Sequence, residues 1–530
     1  MHAATMVLIV AATLIAAAAP VASSAQTVRT DAGVVQGTVE DGLGVYKGIP
    51  FAAPPVGDLR WRGPQAPAAW TGVLQANAFA PVCPQPAEAN RALGLPVLPS
   101  SEDCLYLNVW TPVSLANSRR APVMVWIYGG GFSSGGTGLP SYSGARLAKK
   151  GVVVVSIAYR LGAFGFLAHP ALSAESGHGS GDFGLLDQIA ALKWVKANIA
   201  GFGGDPDRVT IFGESAGGIS VSMLAASPLA RGLFQRAISE SGGSFAPART
   251  ADQGGTNAPS LAVAEQTGAK FVQGLGAGSI ADARKIPTDA IMQAGGRFWP
   301  VVDGYVIPGD QYELYAAGRY NDTPILIGTN ADEGALFPQA PNAAAYVAGV
   351  KAAYGDYADK VLAAYPGDTD AHALRSGRDL FREAAFAWHT WAWARLQSRT
   401  GKGKVFVYYF AHRPPYPDIP RLRDWGAAHG SEIAYVLGNF DASRGMGWTD
   451  ADRALSDQIQ SYWVNFAASG DPNGAGLPAW PAFTEADEVA MRFDGGPQAI
   501  PMPNMDKLQV MEGYYAWRRA QAATQGAAGR

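Results

Sequence analysis

The chain has 530 residues, of which 48% are apolar and 16% are charged, and its net charge is −3. This apolar fraction is ample for a large buried core, and the absence of a basic excess argues against binding to nucleic acid or to an anionic membrane surface. Neither of the two cysteines has a metal-ligand spacing to a partner, so they do not indicate a metal site.

The first 25 residues differ from the rest of the chain. Residues 3–20 are almost wholly apolar, and Ser23-Ser24-Ala25 then gives the small-x-small pattern that signal peptidase cuts. This predicts a signal peptide at residues 1–25, cleaved after Ala25, and a secreted or periplasmic protein that keeps no membrane attachment. Because the segment has no Lys or Arg before its apolar part, an uncleaved anchor is the alternative, although about 18 apolar residues are few for a span.

The two cysteines of the chain are Cys83 and Cys104. An exported protein with a small, even number of cysteines is typical of a disulfide-bonded fold. We therefore expect one disulfide between them, with two free thiols as the alternative.

From about residue 121 onward, near-continuous apolar runs alternate with amphipathic helical patterns. The runs PVMVWIY at 122–128 and VVVVSIAY at 152–159 are typical of strands buried on both faces of a parallel sheet. Alternating strands and helices predict a doubly wound α/β sheet. Further strands are expected at 209–212, 236–239, 324–328 and 404–410, and helices at 186–199 and 455–466.

Two long segments, residues 250–320 and 335–400, are less regular and have more helical pattern. We expect them to cap the sheet and to shape a substrate gorge. The last dozen residues are rich in Ala, Gln and Gly, a composition that predicts a frayed tail.

A candidate nucleophile lies where the strand at 209–212 meets a helical pattern. Gly213-Glu214-Ser215-Ala216-Gly217 has the form G-x-S-x-G, in which a sharp strand-to-helix turn exposes the serine hydroxyl. A second match, residues 131–135, also follows a strand, but no helix starts there. We therefore predict Ser215 as the nucleophile and keep Ser133 as the local alternative.

Three consecutive glycines, at 129–131, follow the strand at 122–128. Without Cβ atoms, their amides are able to turn toward a ligand. We predict that Gly130 and Gly131, with the amide of Ala216 after the nucleophile, form an oxyanion hole. A plain flexible loop is the alternative.

Several long motifs occur in a fixed order along nearly the whole mature chain. They are GIPFAAPP (48–55), EDCLYLN (102–108), Asp187-Gln188 through Trp194-Val195 to Asn198-Ile199, and FGGDP (202–206). With the GESAGG segment, they resemble the type-B carboxylesterase (cholinesterase-like) family. The resemblance implies an α/β-hydrolase fold in one catalytic domain at 26–530, with a mostly parallel central sheet flanked by helices.

The same resemblance implies a triad of Ser, Glu and His in that chain order. The acid of the family matches Glu333, which follows the strand at 324–328, and Asp332 is its neighbouring competitor. The histidine matches His429, and His412 is the next candidate. The implied activity is hydrolysis of small to medium carboxylic esters through an acyl-enzyme, without a cofactor.

Three further positions match residues that line the base of the gorge in the family: Glu214, Ser241 and Glu432. We expect them to support the triad, and ordinary buried polar contacts are the alternative. If the pKa of His429 is unperturbed, activity should fall as the pH drops through about 6.5.

Two departures from the cholinesterases bear on the substrate. The segment between Cys83 and Cys104 contains no Trp, Tyr or Phe, which argues against the aromatic cage that a choline ester needs. Gly295 and Gly296 stand near the aromatic acyl-pocket positions, so we expect a roomier acyl pocket. An amidase or thioesterase with the same triad, and a non-catalytic binding or adhesion protein, remain alternatives. A small-molecule ester is the expected partner, and we expect a monomer or a weak homo-oligomer.

Overall fold

The computed structural model of the chain describes residues 24–87, 96–115, 118, 120–249, 257–443 and 445–528. The signal peptide expected at residues 1–25 lies outside the described residues, except for Ser24 and Ala25, which begin the first strand. Cleavage after Ala25 therefore stays a prediction.

Thirteen strands in these ranges form one sheet. They are β1 (Ser24–Arg29), β2 (Val34–Glu40), β3 (Leu43–Pro50), β4 (Val73–Gln75), β5 (Tyr106–Pro112), β6 (Ala121–Ile127), β7 (Val153–Ile157), β8 (Gly204–Glu214), β9 (Arg236–Glu240), β10 (Ile325–Asn330), β11 (Val405–Phe410), β12 (Val489–Phe493) and β13 (Pro497–Pro501). Their order across the sheet is β1-β2-β3-β5-β7-β6-β8-β9-β10-β11-β12-β13, and β4 pairs with β2.

The centre of the sheet, from β7 to β12, is parallel throughout. The pairs at both edges are antiparallel, except that β4 pairs with β2 in parallel. Every residue of β6 and β7 is buried, and most are Val or Ile. Strands of this kind need cover on both faces, which helices provide in α/β proteins. The mostly parallel α/β sheet that the sequence predicts is confirmed.

Helices connect and cover the strands. They are α1 (Ala145–Ala148), α2 (Gly162–Phe166), α3 (Pro170–Ser176), α4 (Phe183–Asn198), α5 (Ala216–Ala226), α6 (Leu261–Gly274), α7 (Ile280–Ala283), α8 (Thr288–Gln293), α9 (Gln311–Ala316), α10 (Ala343–Tyr354), α11 (Ala358–Ala364), α12 (Asp370–Arg382), α13 (Trp388–Thr400), α14 (Ile433–Leu437), α15 (Asp450–Ser469) and α16 (Met505–Ala528). Helices α4, α5 and α15 pack directly on the parallel centre of the sheet. Helices α6 to α13 fall in or beside the two segments expected to cap it.

The last helix differs from the expected frayed tail, because α16 continues to Ala528. Arg519 anchors it: the guanidinium donates a 2.5 Å hydrogen bond to the carbonyl of Phe245 and lies 3.8 Å from the ring centroid of Tyr312. Ala and Gln have high helix propensities, so a segment rich in them readily continues a helix whose preceding turn is held in place.

Cys83 and Cys104 form a buried disulfide, as expected. Within the described ranges, no helix is long and apolar enough to cross a bilayer. The same part of the chain holds no group of three or more His, Cys, Asp or Glu side chains arranged to bind a metal ion.

Candidate active site

The predicted catalytic residues meet at one edge of the sheet. Ser215 follows β8, Glu333 follows β10, and the loop that contains His429 comes after β11. These strands all belong to the parallel centre of the sheet, with β9 between β8 and β10, so their carboxyl ends lie along the same edge, which is where open α/β sheets place their sites.

Ser215 occupies a strained turn between β8 and α5, with φ 57° and ψ −122°. Its amide donates to the carbonyl of Glu240 on β9 at 2.8 Å, and its carbonyl accepts from Ile219 at 2.8 Å. A Cβ at Gly213 or Gly217 would lie 2.4 or 2.0 Å from the carbonyl oxygen of Ile127 on β6. The two glycines of the motif therefore allow the close approach that holds the turn.

A continuous hydrogen-bond chain joins the three predicted residues. Nε2 of His429 lies 2.8 Å from Oγ of Ser215, and Nδ1 lies 2.5 Å from Oε2 of Glu333. With the proton on Nδ1 donated to the carboxylate, Nε2 is left to accept the serine proton. The arrangement is that of a nucleophile, a base and an orienting acid.

Two hydrogen bonds hold the carboxylate of Glu333 in place. The hydroxyl of Ser241 donates to Oε1 at 2.5 Å, and the backbone amide of Asn330 donates to the same oxygen at 2.8 Å. Ser241 was expected here from the sequence, whereas Asn330 was not. Its only sequence signal is its position three residues before the acid.

The side chain of Asn330 joins the acid strand to the histidine loop. Its amide nitrogen donates to the carbonyl of Ala428 at 2.9 Å and also to a carboxyl oxygen of Glu432. Asp332, the alternative acid, accepts instead from the amide of Ala427 at 2.9 Å. Both residues therefore fix the loop that ends at His429.

Buried carboxyl groups set the electrostatics of this site. Oε1 of Glu214 lies 3.2 Å from Nε2 of His429, close enough for an ion pair but not aligned for a hydrogen bond. Burial raises the pKa of Glu214 to about 7. Burial, together with the charges of Glu214 and Glu333, raises the pKa of Glu432 well above its usual value.

These carboxyl groups also shift the pKa of His429. Burial alone would lower the pKa of His429, but the charges of Glu214 and Glu333 and the hydrogen bond that His429 donates to Glu333 outweigh it and raise the pKa. The value of about 6.5 expected for an unperturbed histidine is therefore too low.

The glycine loop after β6 has a backbone conformation that favours glycine. Gly130 and Gly131 adopt positive φ angles of 109° and 60°. The carbonyl of Gly130 accepts from the amides of Ser133 and Ser134, each at 3.1 Å. Within the described part of the chain, no acceptor is hydrogen-bonded to the amides of Gly130, Gly131 or Ala216.

The alternative residues lie outside this arrangement. The hydroxyl of Ser133 is directed at the carbonyl of Gly130 at 3.2 Å, and Nε2 of His412 binds Asp452 at 3.0 Å. Of the other described histidines, His169 caps a helix and His178 stacks on another aromatic ring. His372 pairs with an aspartate, and His389 accepts a hydrogen bond from a backbone amide.

Aromatic side chains that the sequence did not indicate pack against the base. The ring of Phe386 stacks on His429 with centroids 4.5 Å apart and planes 18° apart, and Phe337 lies 5.3 Å away. Phe386 belongs to a π-helical turn, Glu383–Ala387, between α12 and α13. Such turns are rare and are often found at functional sites.

A groove of about 920 Å³ lies elsewhere on the molecule. Its lining includes Trp61, Phe183, Lys193 and Tyr305, and it contains none of the residues of the hydrogen-bond chain described above. We therefore assign the chemistry to the edge of the sheet and not to this groove.

The fold and the hydrogen-bond chain define an α/β-hydrolase with a serine, histidine and glutamate brought together. The profile of the carboxylesterase family matches residues 24–511, and the chain belongs to this family. The resemblance to type-B carboxylesterases is thus confirmed, and so are the fold class and the expected activity as a carboxylic ester hydrolase.

Similar proteins agree with this assignment over most of the chain. A fumonisin B1 esterase from Sphingopyxis macrogoltabida is 38% identical over 87% of this chain and 85% of its own. A para-nitrobenzyl esterase from Bacillus subtilis (strain 168) is 37% identical over 92% of this chain and 98% of its own. A solved PNB esterase structure has a TM-score of 0.80 at 36% identity, covering 92% of this chain and 99% of that one.

Proposed function

We propose that this carboxylesterase hydrolyses small to medium carboxylic esters through an acyl-enzyme at Ser215. The observation that carries the proposal is the unbroken hydrogen-bond chain from Ser215 through His429 to Glu333. Serine is a poor nucleophile at its free pKa, and an adjacent neutral imidazole is what activates it.

In the first half of the reaction, Oγ of Ser215 attacks the ester carbonyl carbon while Nε2 of His429 takes the hydroxyl proton. Glu333 keeps its charge and stabilises the imidazolium that forms. When the tetrahedral intermediate collapses, the carbon–oxygen bond to the alcohol breaks, and the imidazolium gives its proton to the leaving oxygen. The acyl group is then bonded to Ser215.

In the second half, a water molecule takes the place of the alcohol. His429 removes a proton from the water as it attacks the acyl carbon, and returns a proton to Oγ of Ser215 when the acid leaves. In both halves, negative charge develops on the carbonyl oxygen. The amides of Gly130, Gly131 and Ala216 are the proposed donors to it, since they have no acceptor among the described residues.

We also propose that the protein is exported and processed after Ala25. The apolar segment at residues 3–20 and the small-x-small pattern before the cut support this, and so does the disulfide between Cys83 and Cys104. N-terminal sequencing of the protein recovered from outside the cytoplasm tests it: a mature chain beginning at Gln26 is expected, and a chain that keeps Met1 contradicts it.

Hydrolysis of p-nitrophenyl butyrate by the purified mature chain tests the proposed function. A p-nitrobenzyl ester serves as a second substrate, because one relative carries that name. Ser215→Ala should abolish turnover, while Ser133→Ala, which removes the hydroxyl of the second G-x-S-x-G match, should retain it. Turnover that survives in Ser215→Ala, or a fluorophosphonate adduct on another residue by mass spectrometry, would show that the nucleophile is wrong.

A further inference from the structure

The side chain of Gln85 pairs with the backbone just after the three glycines of the glycine loop. Its Nε2 donates to the carbonyl of Gly135 at 2.7 Å, and its Oε1 accepts from the amide of the same residue at 2.9 Å. Gly135 is buried. Because buried backbone groups need hydrogen-bond partners, Gln85 satisfies both the N–H and the C=O of this residue.

Gly135 in turn packs against the start of the glycine loop. A Cβ built on Gly135 would lie 2.7 Å from the carbonyl oxygen of Gly129. A Cβ built on Gly130 would lie 2.2 Å from the carbonyl oxygen of Ser134. The two ends of the loop therefore lie against each other, so a contact that fixes Gly135 also fixes the backbone beside Gly130.

The loop needs such a contact because its own backbone is permissive. Positive φ angles of 109°, 60°, 57° and 116° occur at Gly130, Gly131, Phe132 and Gly135. Glycine adopts many other conformations about as readily. The amides of Gly130 and Gly131 have no acceptor among the described residues, so they do not hold the loop themselves.

The segment that carries Gln85 is itself well anchored. The amide of Val82 donates to the carbonyl of Pro99, and the carbonyl of Val82 accepts from the amide of Ser101, both at 2.9 Å. Cys83 is in the disulfide, and its carbonyl accepts from Nε2 of Gln85 at 3.1 Å. Backbone pairing and the disulfide thus hold Gln85 in the orientation that it needs to reach the loop.

We propose that Gln85 is a positioning residue for the oxyanion donors: by pairing with Gly135, it keeps the amides of Gly130 and Gly131 directed at the carbonyl oxygen of the ester. This inference rests on the oxyanion hole of the function proposed above. Gln85 acts through the loop and does not touch the substrate. Because negative charge develops on that oxygen in the transition state, the effect is on kcat more than on KM.

Gln85→Met tests the proposal, since it removes both hydrogen bonds and nearly keeps the volume of the side chain. We expect kcat for p-nitrophenyl butyrate to fall about tenfold or more, with little change in KM. The reason is that a misplacement of about 1 Å in a catalytic group is able to cost about a hundredfold in rate.

Asn473→Leu is the matched control. The side chain of Asn473 pairs in the same way with Trp480, donating to its carbonyl at 2.9 Å and accepting from its amide at 2.7 Å. This pair lies in the loop between α15 and β12. Chemical unfolding should show a loss of stability in both variants, and kinetics should show a loss of kcat in Gln85→Met alone.

A trifluoromethyl alkyl ketone separates positioning from a general loss of structure. Oγ of Ser215 adds to its carbonyl carbon, the hydroxyl proton passes to His429, and the carbonyl electron pair becomes negative charge on the oxygen in the oxyanion hole. The methyl ketone with the same alkyl chain binds without this addition. In Gln85→Met, the affinity for the fluorinated ketone should fall by about the factor lost in kcat/KM, whereas that for the methyl ketone should not change.

A folded Gln85→Met protein that keeps its kcat and its affinity for the fluorinated ketone overturns the proposal. An equal loss of affinity for both ketones, or an equal loss of kcat in Asn473→Leu, does so too. If Gln85→Met does not fold, Gln85→Asn, whose amide is one methylene short of Gly135, decides in the same way. Failure of the proposed function has a different signature, because the unmodified protein would then turn over no neutral ester and bind the two ketones equally.

Discussion

Oε1 of Glu214 lies 3.2 Å from Nε2 of His429, the same nitrogen that faces the hydroxyl of Ser215. When His429 holds the serine proton, an ionised Glu214 stabilises the positive charge on the ring. Because burial raises the pKa of Glu214 to about 7, this carboxyl is only partly ionised near neutral pH. We therefore expect Glu214, directly before the proposed nucleophile, to tune the pKa of the proposed base.

The acid limb of the pH profile should lie above pH 6.5. The base must be neutral to accept a proton, and the pKa of His429 is raised from its ordinary value of 6.5, so activity is lost as the pH falls through a higher value. The measurement is kcat/KM for a neutral ester from pH 5 to pH 9. A rate that is constant down to pH 5 would contradict a histidine base.

Glu214→Gln should move that limb to lower pH and reduce kcat about tenfold, equivalent to about 1.4 kcal/mol of lost stabilisation. The reason is that the variant removes a charge that raises the pKa of His429. Glu240→Gln is the matched control: this buried carboxyl binds Nε1 of Trp463 at 2.8 Å, and burial raises its pKa to about 8, so it carries little charge to remove. Equal pH profiles in the two variants would refute the role of Glu214.

Asn330→Ala should lower both stability and kcat. The variant leaves the carbonyl of Ala428 and the carboxyl of Glu432 without their donor, at a cost of about 1–3 kcal/mol in the free energy of unfolding. The loop that carries His429 then loses its link to the acid strand, and we expect kcat to fall about tenfold.

Asn439→Ala is the control for Asn330. Its side chain also donates two hydrogen bonds, to the carbonyls of Ser141 and Ser143 at 3.0 and 2.8 Å, but it does not contact the triad. Chemical unfolding and steady-state kinetics of both variants should show a similar loss of stability and a loss of kcat in Asn330→Ala alone. An equal loss of kcat in both would mean that Asn330 has only a structural role.

Most strands at the parallel centre of the sheet could be predicted from the sequence, whereas those at its edges could not. The apolar run at 122–128 predicted β6 to within one residue at each end. It could do so because buried parallel strands are continuously apolar. Strands β1 to β5, β12 and β13 were not predicted, since strands interrupted by glycine or polar residues have no such continuous apolar run.

The residues of the site likewise fall into those that the sequence predicted and those that it did not. Ser215 and the glycine loop stand in local motifs whose mechanics can be read along the chain, and the family order supplied Glu333 and His429. Asn330 and Phe386 contact the triad only because β10 and the π-helical turn bring them there. No spacing within the sequence encodes such contacts, and a lone Asn or Phe gives no signal by itself.

Gly217→Ala should prevent stable folding of the nucleophile turn. A Cβ at this position would lie 2.0 Å from the carbonyl oxygen of Ile127, which is backbone and unable to move aside. The clash should outweigh the helix propensity of about 1 kcal/mol that alanine gains over glycine, so we expect a net loss of about 3 kcal/mol or more.

Gly349→Ala provides the comparison, because this exposed glycine lies within α10 and a Cβ there meets nothing within 4 Å. It should stabilise the protein by up to about 1 kcal/mol. Urea unfolding followed by tryptophan fluorescence measures both variants. A stable, active Gly217→Ala protein would show that β6 and α5 are not packed as closely as described.

Removing the disulfide should destabilise the protein without changing its kcat. Cys83 and Cys104 are 21 residues apart, and closing a loop of that size stabilises a fold by about 3 kcal/mol in the chain-entropy model. The Cys83→Ser/Cys104→Ser double variant should therefore unfold at lower urea concentration and keep its kcat at low temperature. Dithiothreitol should shift the unmodified protein toward the double variant and leave the variant unchanged. Coincident unfolding curves with and without the reductant would mean that the bond is absent in solution or contributes nothing to stability.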